Sequence, residues 1–386
     1  MSTVHASYRR SRTTLIGYFL ALGVVMAVWG ARMPAVQQVA HLSTGLLAVV
    51  LLAAALGMVA GLQIGGRLVR PARLPTLLTF GTIGLAGCLA VLGLCDSLSS
   101  LLTVALVFGV AHGVLDVAAN SAAVRCQNAY GRPIMSGLHA AYSIGALCGA
   151  VLAAITAHIT HSILFLAVGL LLIGATLAGG PATRSLRGAD RPPIDVENGG
   201  QSREQSTLPP RRLWLLGALA ASSLLGEGAA ADWAAVHLHS LGASTAASAS
   251  AFALYSGAMA FGRLTGDRLT AAFGASAVVR TGAVAAAAGL LTGVASSSTP
   301  TALAGWTVFG LGLSITVPSL ITAAGTGGPK AVATVAVTGY LGLLAGPAVI
   351  GALASVTSLS TALLLPVLLA AAVAALSHRA LEKSTP

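Results

Sequence analysis

The sequence predicts an all-α polytopic membrane protein: twelve transmembrane helices in two pseudo-symmetric bundles of six. Three observations carry this. First, 56% of the 386 residues are hydrophobic and only 8% charged, with a mean hydropathy of +0.87. A soluble chain is about a quarter charged and needs those charges to cover its surface. The same numbers exclude a disordered chain, and four Cys are too few for a secreted disulfide scaffold. Second, apolar runs long enough to cross a bilayer, about 20 residues each, recur along the whole chain. Third, the two halves of the chain match each other at a nearly constant offset of 200 or 201 residues.

In the first half the predicted spans are 13–38, 44–66, 75–95, 99–124, 134–158 and 162–180. The first is not read as a cleaved leader: it carries Trp29 and Arg32 where a small-residue cleavage site is needed, and it continues through Pro34. The second half gives 213–237, 246–265, 276–296, 301–324, 331–354 and 360–378. Strands are excluded because membrane barrels alternate polar and apolar residues and these runs do not. Between the halves, residues 181–212 hold five Pro and ten charged residues. This composition predicts a flexible cytoplasmic linker. The domain reading is therefore a six-helix bundle over 1–180, a linker over 181–212, and a second bundle with a short tail over 213–386.

The charge map tests this count. Of 21 Lys and Arg, all but Arg32 fall at one face if there are twelve crossings, among them Arg9, Arg10, Arg12, Arg67, Arg70, Arg73, Arg125, Arg132, Arg184, Lys330 and Arg379. That is the bias expected of cytoplasmic loops. It predicts a multi-pass protein of the cell (plasma or inner) membrane with both termini cytoplasmic. The net charge of +11 then needs no nucleic acid to explain it.

The repeat is visible in short matches. Ala31-Arg32-Met33-Pro34-Ala35-Val36 pairs with Ala231-Asp232-Trp233-Ala234-Ala235-Val236, Gly61–Leu68 with Gly262–Leu269, and Val107-Phe108-Gly109 with Val308-Phe309-Gly310. Parallel six-helix repeats are an established transporter architecture. The stretch Gly262-Arg263-Leu264-Thr265-Gly266-Asp267-Arg268 resembles the second-half copy of the cytoplasmic loop signature of the major facilitator superfamily. The first-half copy, at Gly61–Arg73, has Gly66 where an Asp is usual. Gly113-Val114-Leu115-Asp116-Val117-Ala118-Ala119-Asn120 is similar to a fourth-helix motif of the fucose-permease branch, with Asp for Glu. Met135–Ser143 and Glu227–Trp233 resemble the rhizopine-transporter-type inner-membrane proteins of that branch. The resemblance covers essentially the whole chain and implies secondary transport of a small solute. Fucose permeases carry an acid on the first helix shortly after Trp-Gly. Here Trp29-Gly30 is followed by Ala31-Arg32-Met33, and the first acid of the chain is Asp96.

Ionisable groups inside the membrane cost about 2.5–3.5 kcal/mol each on insertion scales, so they are candidates for function. Asp116, Glu227 and Asp232 are the acids that remain once linker, tail and loop acids are removed. His112, Asp116 and Asn120 share one helix face by their i, i+4, i+8 spacing. His139, on the neighbouring antiparallel span, falls at a similar depth. The reading is that Asp116 assisted by His139 handles the coupling proton, and that Glu227 contacts substrate or a second proton. Arg32 and Asp232 occupy matching repeat positions, each about 28 Å from the inner surface, and are read as an outer-gate pair. Each of these groups also fits a structural role, the acids as hydrogen-bond partners of a neighbouring helix and Arg32 as a side chain reaching for headgroups.

Trp29, Tyr142, Trp233, Tyr255 and Tyr340, with His112 and Asn120, are the candidate substrate-lining residues. Gly262, Arg263, Gly266, Asp267 and Arg268 form the candidate cytoplasmic loop motif. Trp214 and Trp306 fit interface anchoring or packing better than a cavity. Cys88, Cys95, Cys126 and Cys148 lack metal spacing, and a metal at His158 with His161 or His237 with His239 is a weak alternative. Gly145-x3-Gly149 and Gly342-x3-Gly346 read as helix-packing surfaces. No Walker motif, nucleophile–base pair or metal constellation appears, so no cofactor, ATP-driven step or enzyme activity is expected. The prediction is a proton-coupled secondary transporter, a symporter acting as a monomer on a small polar organic solute, with a sugar favoured by the resemblance. The alternatives are a drug or metabolite exporter of the same fold and a non-transporting membrane sensor.

Overall fold

The computed structural model of the protein describes residues 2–186 and 208–381. Within them the helices are α1 (Ser2–Val39), α2 (Thr44–Leu68), α3 (Leu74–Leu92), α4 (Leu98–Tyr130), α5 (Met135–Ile155), α6 (His161–Ala178) and α7 (Gly180–Ser185). They continue as α8 (Pro210–Ser240), α9 (Thr245–Phe273), α10 (Ala275–Ala295), α11 (Thr299–Leu313), α12 (Thr316–Ala324), α13 (Gly328–Val356), α14 (Leu359–Ala362) and α15 (Leu364–Leu381). No strand occurs among the described residues. Ten helical stretches are long and apolar enough to cross a membrane, and one of them, Thr299–Val356, has 58 residues, enough for two crossings. The more polar α9, with 29 residues, brings the membrane-length helices to twelve.

Large apolar side chains point outward: Phe80 is 68% exposed, Leu171 71% and Val356 79%. In water such a surface would aggregate; in a bilayer it meets its own solvent. With no hydrophobic drive between helices in lipid, packing rests on close backbone approach. Gly57, Gly61, Gly109 and Gly113 seat α2 and α4 directly on each other's main chain. A β-carbon at Gly113 would fall 2.9 Å from the carbonyl carbon of Gly61. Gly113→Ala is therefore expected to cost about 1–3 kcal/mol by overpacking, read as a lowered melting temperature of the purified protein in one detergent. The two Gly-x3-Gly stripes do the same work in each half. Gly145 and Gly149 rest on Leu20 and Val24 of α1, and Gly342 and Gly346 on Ala221 and Leu225 of α8. The residues they touch differ by the repeat offset of 201 (20 to 221, 24 to 225).

Helix ends differ from the predicted span ends because hydropathy stops at the hydrocarbon edge, whereas a helix stops at a cap. Thus α4 runs to Tyr130 and α9 to Phe273. Each ends at a glycine with positive φ, Gly131 (66°) and Gly274 (79°), a conformation that glycine takes without strain. The tenth span is broken into α11 and α12. Pro318 clashes with the carbonyl four residues earlier, at Ser314, where the break falls. Pro366 stands in the same relation to the break between α14 and α15.

The two ends of the predicted linker are among the described residues. At its start Gly180–Ser185 is helical, opened by Pro181 in the first turn. Thr183 there is buried and bonded to the Tyr18 hydroxyl at 2.8 Å. At its end Pro210 opens α8, and Arg212 Nε donates to Ala380 O at 3.1 Å. The rest of that linker reading, 187–207, lies outside the described residues. The chain forms two compact units. The first holds Met1–Ile134, Ala141–Glu204 and Gly328–Ala333; the second holds Met135–Ala140, Gln205–Gly327 and Thr334–Pro386.

Candidate transport site

In the first unit the predicted polar stripe of α4 lies beside the glycine face that meets α2. His112, Asp116 and Asn120 are all buried. Asn120 Nδ2 donates to the Asp116 carboxylate at 3.2 Å and to the Asp116 carbonyl at 2.9 Å. A buried carboxyl partnered by a neutral amide is an arrangement that a transported proton can occupy. Trp29 stacks on Phe108, with centroids 4.7 Å apart and planes 14° from parallel, so its ring packs α1 against α4. Tyr142 is half-buried on α5. Arg32, buried near the end of α1, donates to the Thr156 carbonyl and, at 3.2 Å, to the Thr156 hydroxyl. It reaches the Ala157 carbonyl at 3.5 Å. These carbonyls lie just past the C-terminal end of α5, where a cation is favoured.

The second unit contains an ion pair that the sequence did not announce. Glu227 on α8 faces Arg263 on α9, Oε2 to Nη2 at 3.6 Å. The Arg263 side chain is 8% exposed and that of Glu227 31%, so the anion is the accessible partner. Arg263 was assigned to a cytoplasmic loop motif with Gly262, Gly266, Asp267 and Arg268. All five lie inside α9, because the helix runs to its cap at Gly274. Tyr255, two turns earlier on α9, lies within electrostatic reach of both Glu227 and Arg263. It is 1% exposed, and its hydroxyl has no hydrogen-bond partner. His139, which falls in this unit, is also within reach of Arg263. Signals for the pair were present: Glu227 needed a cation, and Arg263 sits four residues before Asp267 on the same helix face.

Asp267 does a different task, one turn on. Its two carboxylate oxygens accept the backbone N–H groups of Ser136 and Gly137, each at 3.0 Å, and Ser136 Oγ donates to Arg263 O at 2.9 Å. The carboxylate thus caps the N-terminus of α5, where free N–H groups and the helix dipole both favour an anion. Gly66, the repeat partner of Asp267, has no side chain to offer. There the N-terminal turn of α13 closes in, and a β-carbon on Gly66 would lie 2.6 Å from Ala333 Cβ.

Trp233 is half-buried and donates from Nε1 to Pro347 O at 3.3 Å. Its ring lies 3.2 Å from where a β-carbon on Gly351 would be, so it packs α8 on α13 over Pro347 and Gly351. Tyr340 is half-buried on α13, and Asp232 and Arg268 are exposed. Trp306 is fully buried and donates to His237 Nδ1 at 3.3 Å, which makes it a core residue and not an interface anchor. The four cysteines are free thiols, and no group of three metal-ligating side chains occurs among the described residues.

The fold defines a helical, multi-pass membrane protein. No protein-family model matches this chain. It is 32% identical over 382 residues to an uncharacterised transporter of Sinorhizobium fredii, covering 93% of this chain and 95% of that protein. It is also 32% identical over 360 residues to an uncharacterised MFS-type transporter of Yersinia pestis, covering 91% and 90%. Among solved structures, the Escherichia coli fucose:proton symporter FucP, in its outward conformation, matches with a TM-score of 0.79 at 16% identity, over 98% of this chain and all of FucP. The chain belongs to the major facilitator superfamily.

Proposed function

We propose that this chain is a proton-coupled secondary transporter of a small polar organic solute, a sugar or sugar derivative, working by alternating access. The observation that carries this is the Glu227–Arg263 pair, set within two membrane-length helices with the carboxylate as its exposed member. A proton on Glu227 would weaken its hold on Arg263 and let the guanidinium N–H on that side turn to a hydroxyl or carboxylate of the solute. The orphaned Tyr255 hydroxyl would add a second polar contact against a ring-shaped solute. Asp116, held by Asn120, is the second proton site, with His139 as its assistant. Trp29, His112, Tyr142, Trp233 and Tyr340 remain the candidate lining of the solute path. The sugar class draws on the name of FucP and on these aromatic side chains. In the same scheme Arg32 and Asp232 act at the outer gate, and the arginine-rich helix ends face the cytoplasm.

The test is uptake into proteoliposomes under an imposed pH gradient, with a panel of labelled sugars and polyols. The wild type is expected to accumulate one class only when the outside is acidic. Glu227→Gln and Asp116→Asn are each expected to lose at least tenfold of the gradient-driven uptake while retaining solute exchange at equal pH. Accumulation that ignores the pH gradient overturns the coupling, and undiminished accumulation by either variant removes that residue from the proton route.

A further inference from the structure

A cavity of about 240 Å³ lies wholly inside the first unit, away from the polar stripe of α4. It is bounded by α1, α3, α6 and α7, with Thr13, Gly17, Tyr18, Thr82, Thr176 and Thr183 on its walls. Its hydroxyls are already engaged. Thr13 donates to Arg9 O, Thr82 to Leu78 O, Thr176 to Leu172 O and Thr183 to Gly179 O, each one turn back. Tyr18 then bonds to Thr183 Oγ1. With every hydroxyl proton directed at protein, no donor is left for an occupant, and most of the wall is methyl and methylene.

The volume is many times the ~10–15 Å³ that one water needs, but a water also needs two or more polar partners. Thr13 and Ala175 are exposed at the rim, so the cavity opens to the side, and a β-carbon added to Gly17 would meet nothing within 4 Å.

The mouth has a different character. One turn before Thr13 and Thr14 on α1 stand Arg9 and Arg10, and directly after Thr183 on α7 stands Arg184, all exposed. The hydroxyl of Thr14 bonds to Arg10 O as that of Thr13 does to Arg9 O, so the two arginines stand one turn beyond the cavity residues of α1, about 100° apart around the helix. α1 and α7 thus carry three exposed cations beside residues that line the cavity.

We propose that this is a site for one anionic phospholipid of the adjoining leaflet. Its phosphate lies on Arg9, Arg10 and Arg184, and one acyl chain fills the cavity over Gly17. A soluble anion would use the arginines and leave the slot empty; a neutral lipid would use the slot and gain nothing from the arginines. Both together select the charged lipid. Bound there, the lipid would tie the start of α1 to α7, the helix that leads out of the first unit.

The test uses the full-length protein in neutral detergent, titrated with phosphatidylglycerol and followed by its melting temperature. Phosphatidylcholine, inorganic phosphate and glycerol 3-phosphate serve as comparison probes. Phosphatidylglycerol alone is expected to raise the melting temperature, with an affinity that falls as salt is added. Neutralising the cations (R9Q/R10Q/R184Q) is expected to weaken the lipid about fivefold per arginine. Gly17→Leu, which fills the slot without touching the cations, is expected to abolish the phosphatidylglycerol effect and leave melting in phosphatidylcholine unchanged. Equal stabilisation by both lipids, or by inorganic phosphate, overturns the proposal. So does a Gly17→Leu protein that responds to phosphatidylglycerol like the wild type.

Discussion

Glu227→Ala is expected to destabilise the protein by about 3 kcal/mol, and adding Arg263→Met is expected to restore most of the loss. The single change takes away a carboxylate that faces a guanidinium only 8% exposed, and breaking a buried ion pair by removing one partner costs about 3–5 kcal/mol. The accessible edge of Glu227 places the effect at the low end of that range. Removing both charges replaces a partly desolvated pair with apolar packing, which is often neutral or better. Arg263→Met alone is expected to cost less than Glu227→Ala, because the residual charge is then on the side chain that can still reach water. The measurement is a double-mutant cycle on melting in one detergent, with a coupling energy of about 1–3 kcal/mol expected. Four proteins that melt together would mean that the pair has no energetic content, and the proton switch built on it would fall with it.

The sequence foretold different features unequally, for physical reasons. Membrane spans were legible because hydropathy is a property of each segment alone. The pseudo-repeat was legible in short matches at offsets of 200 or 201, and packing keeps that offset, since the α1 and α8 residues under the two Gly-x3-Gly stripes differ by 201. The Asp116 stripe was legible because one helix sets its own face. What was hidden depends on two helices at once. Arg263 looked like part of a loop motif; only the continuation of α9 past it, and the placement of α8 beside it, turn it into the partner of Glu227. Breaks at Ser314 and Leu363 were likewise obscured, since Pro318 and Pro366 sit inside runs apolar enough to read as unbroken helices. Trp29 is a similar case: that its ring packs flat on Phe108 depends on where α4 lies.

Positions 66 and 267 correspond in the two repeats, yet exchanging their residues is expected to fail in one direction far more than the other. Asp267→Ala removes two charge-assisted bonds to the first turn of α5, and the expected cost is about 2 kcal/mol. Asp267→Asn keeps one accepting oxygen and is expected to lose about half as much. Gly66→Asp asks for more. Its β-carbon would meet the Ala333 methyl at 2.6 Å and the Pro329 carbonyl oxygen at 3.4 Å. The carboxylate would then face that carbonyl in place of a free N–H. Overpacking typically costs about 1–3 kcal/mol, and an acid against a carbonyl adds desolvation with no donor in return. A loss of about 4 kcal/mol is expected, seen as failure to accumulate or as a collapse of the melting transition. Gly66→Ala isolates the steric part, and Ala333→Gly beside it should recover that part by removing the opposing methyl. The same Ala333→Gly should rescue Gly66→Asp only slightly, because the Pro329 carbonyl stays in place. A Gly66→Asp protein as stable as the wild type would mean that the first repeat can accept the acid cap after all. The two helix N-termini would then be held in the same way, and the asymmetry between a charged cap on α5 and a bare backbone contact on α13 would carry no weight.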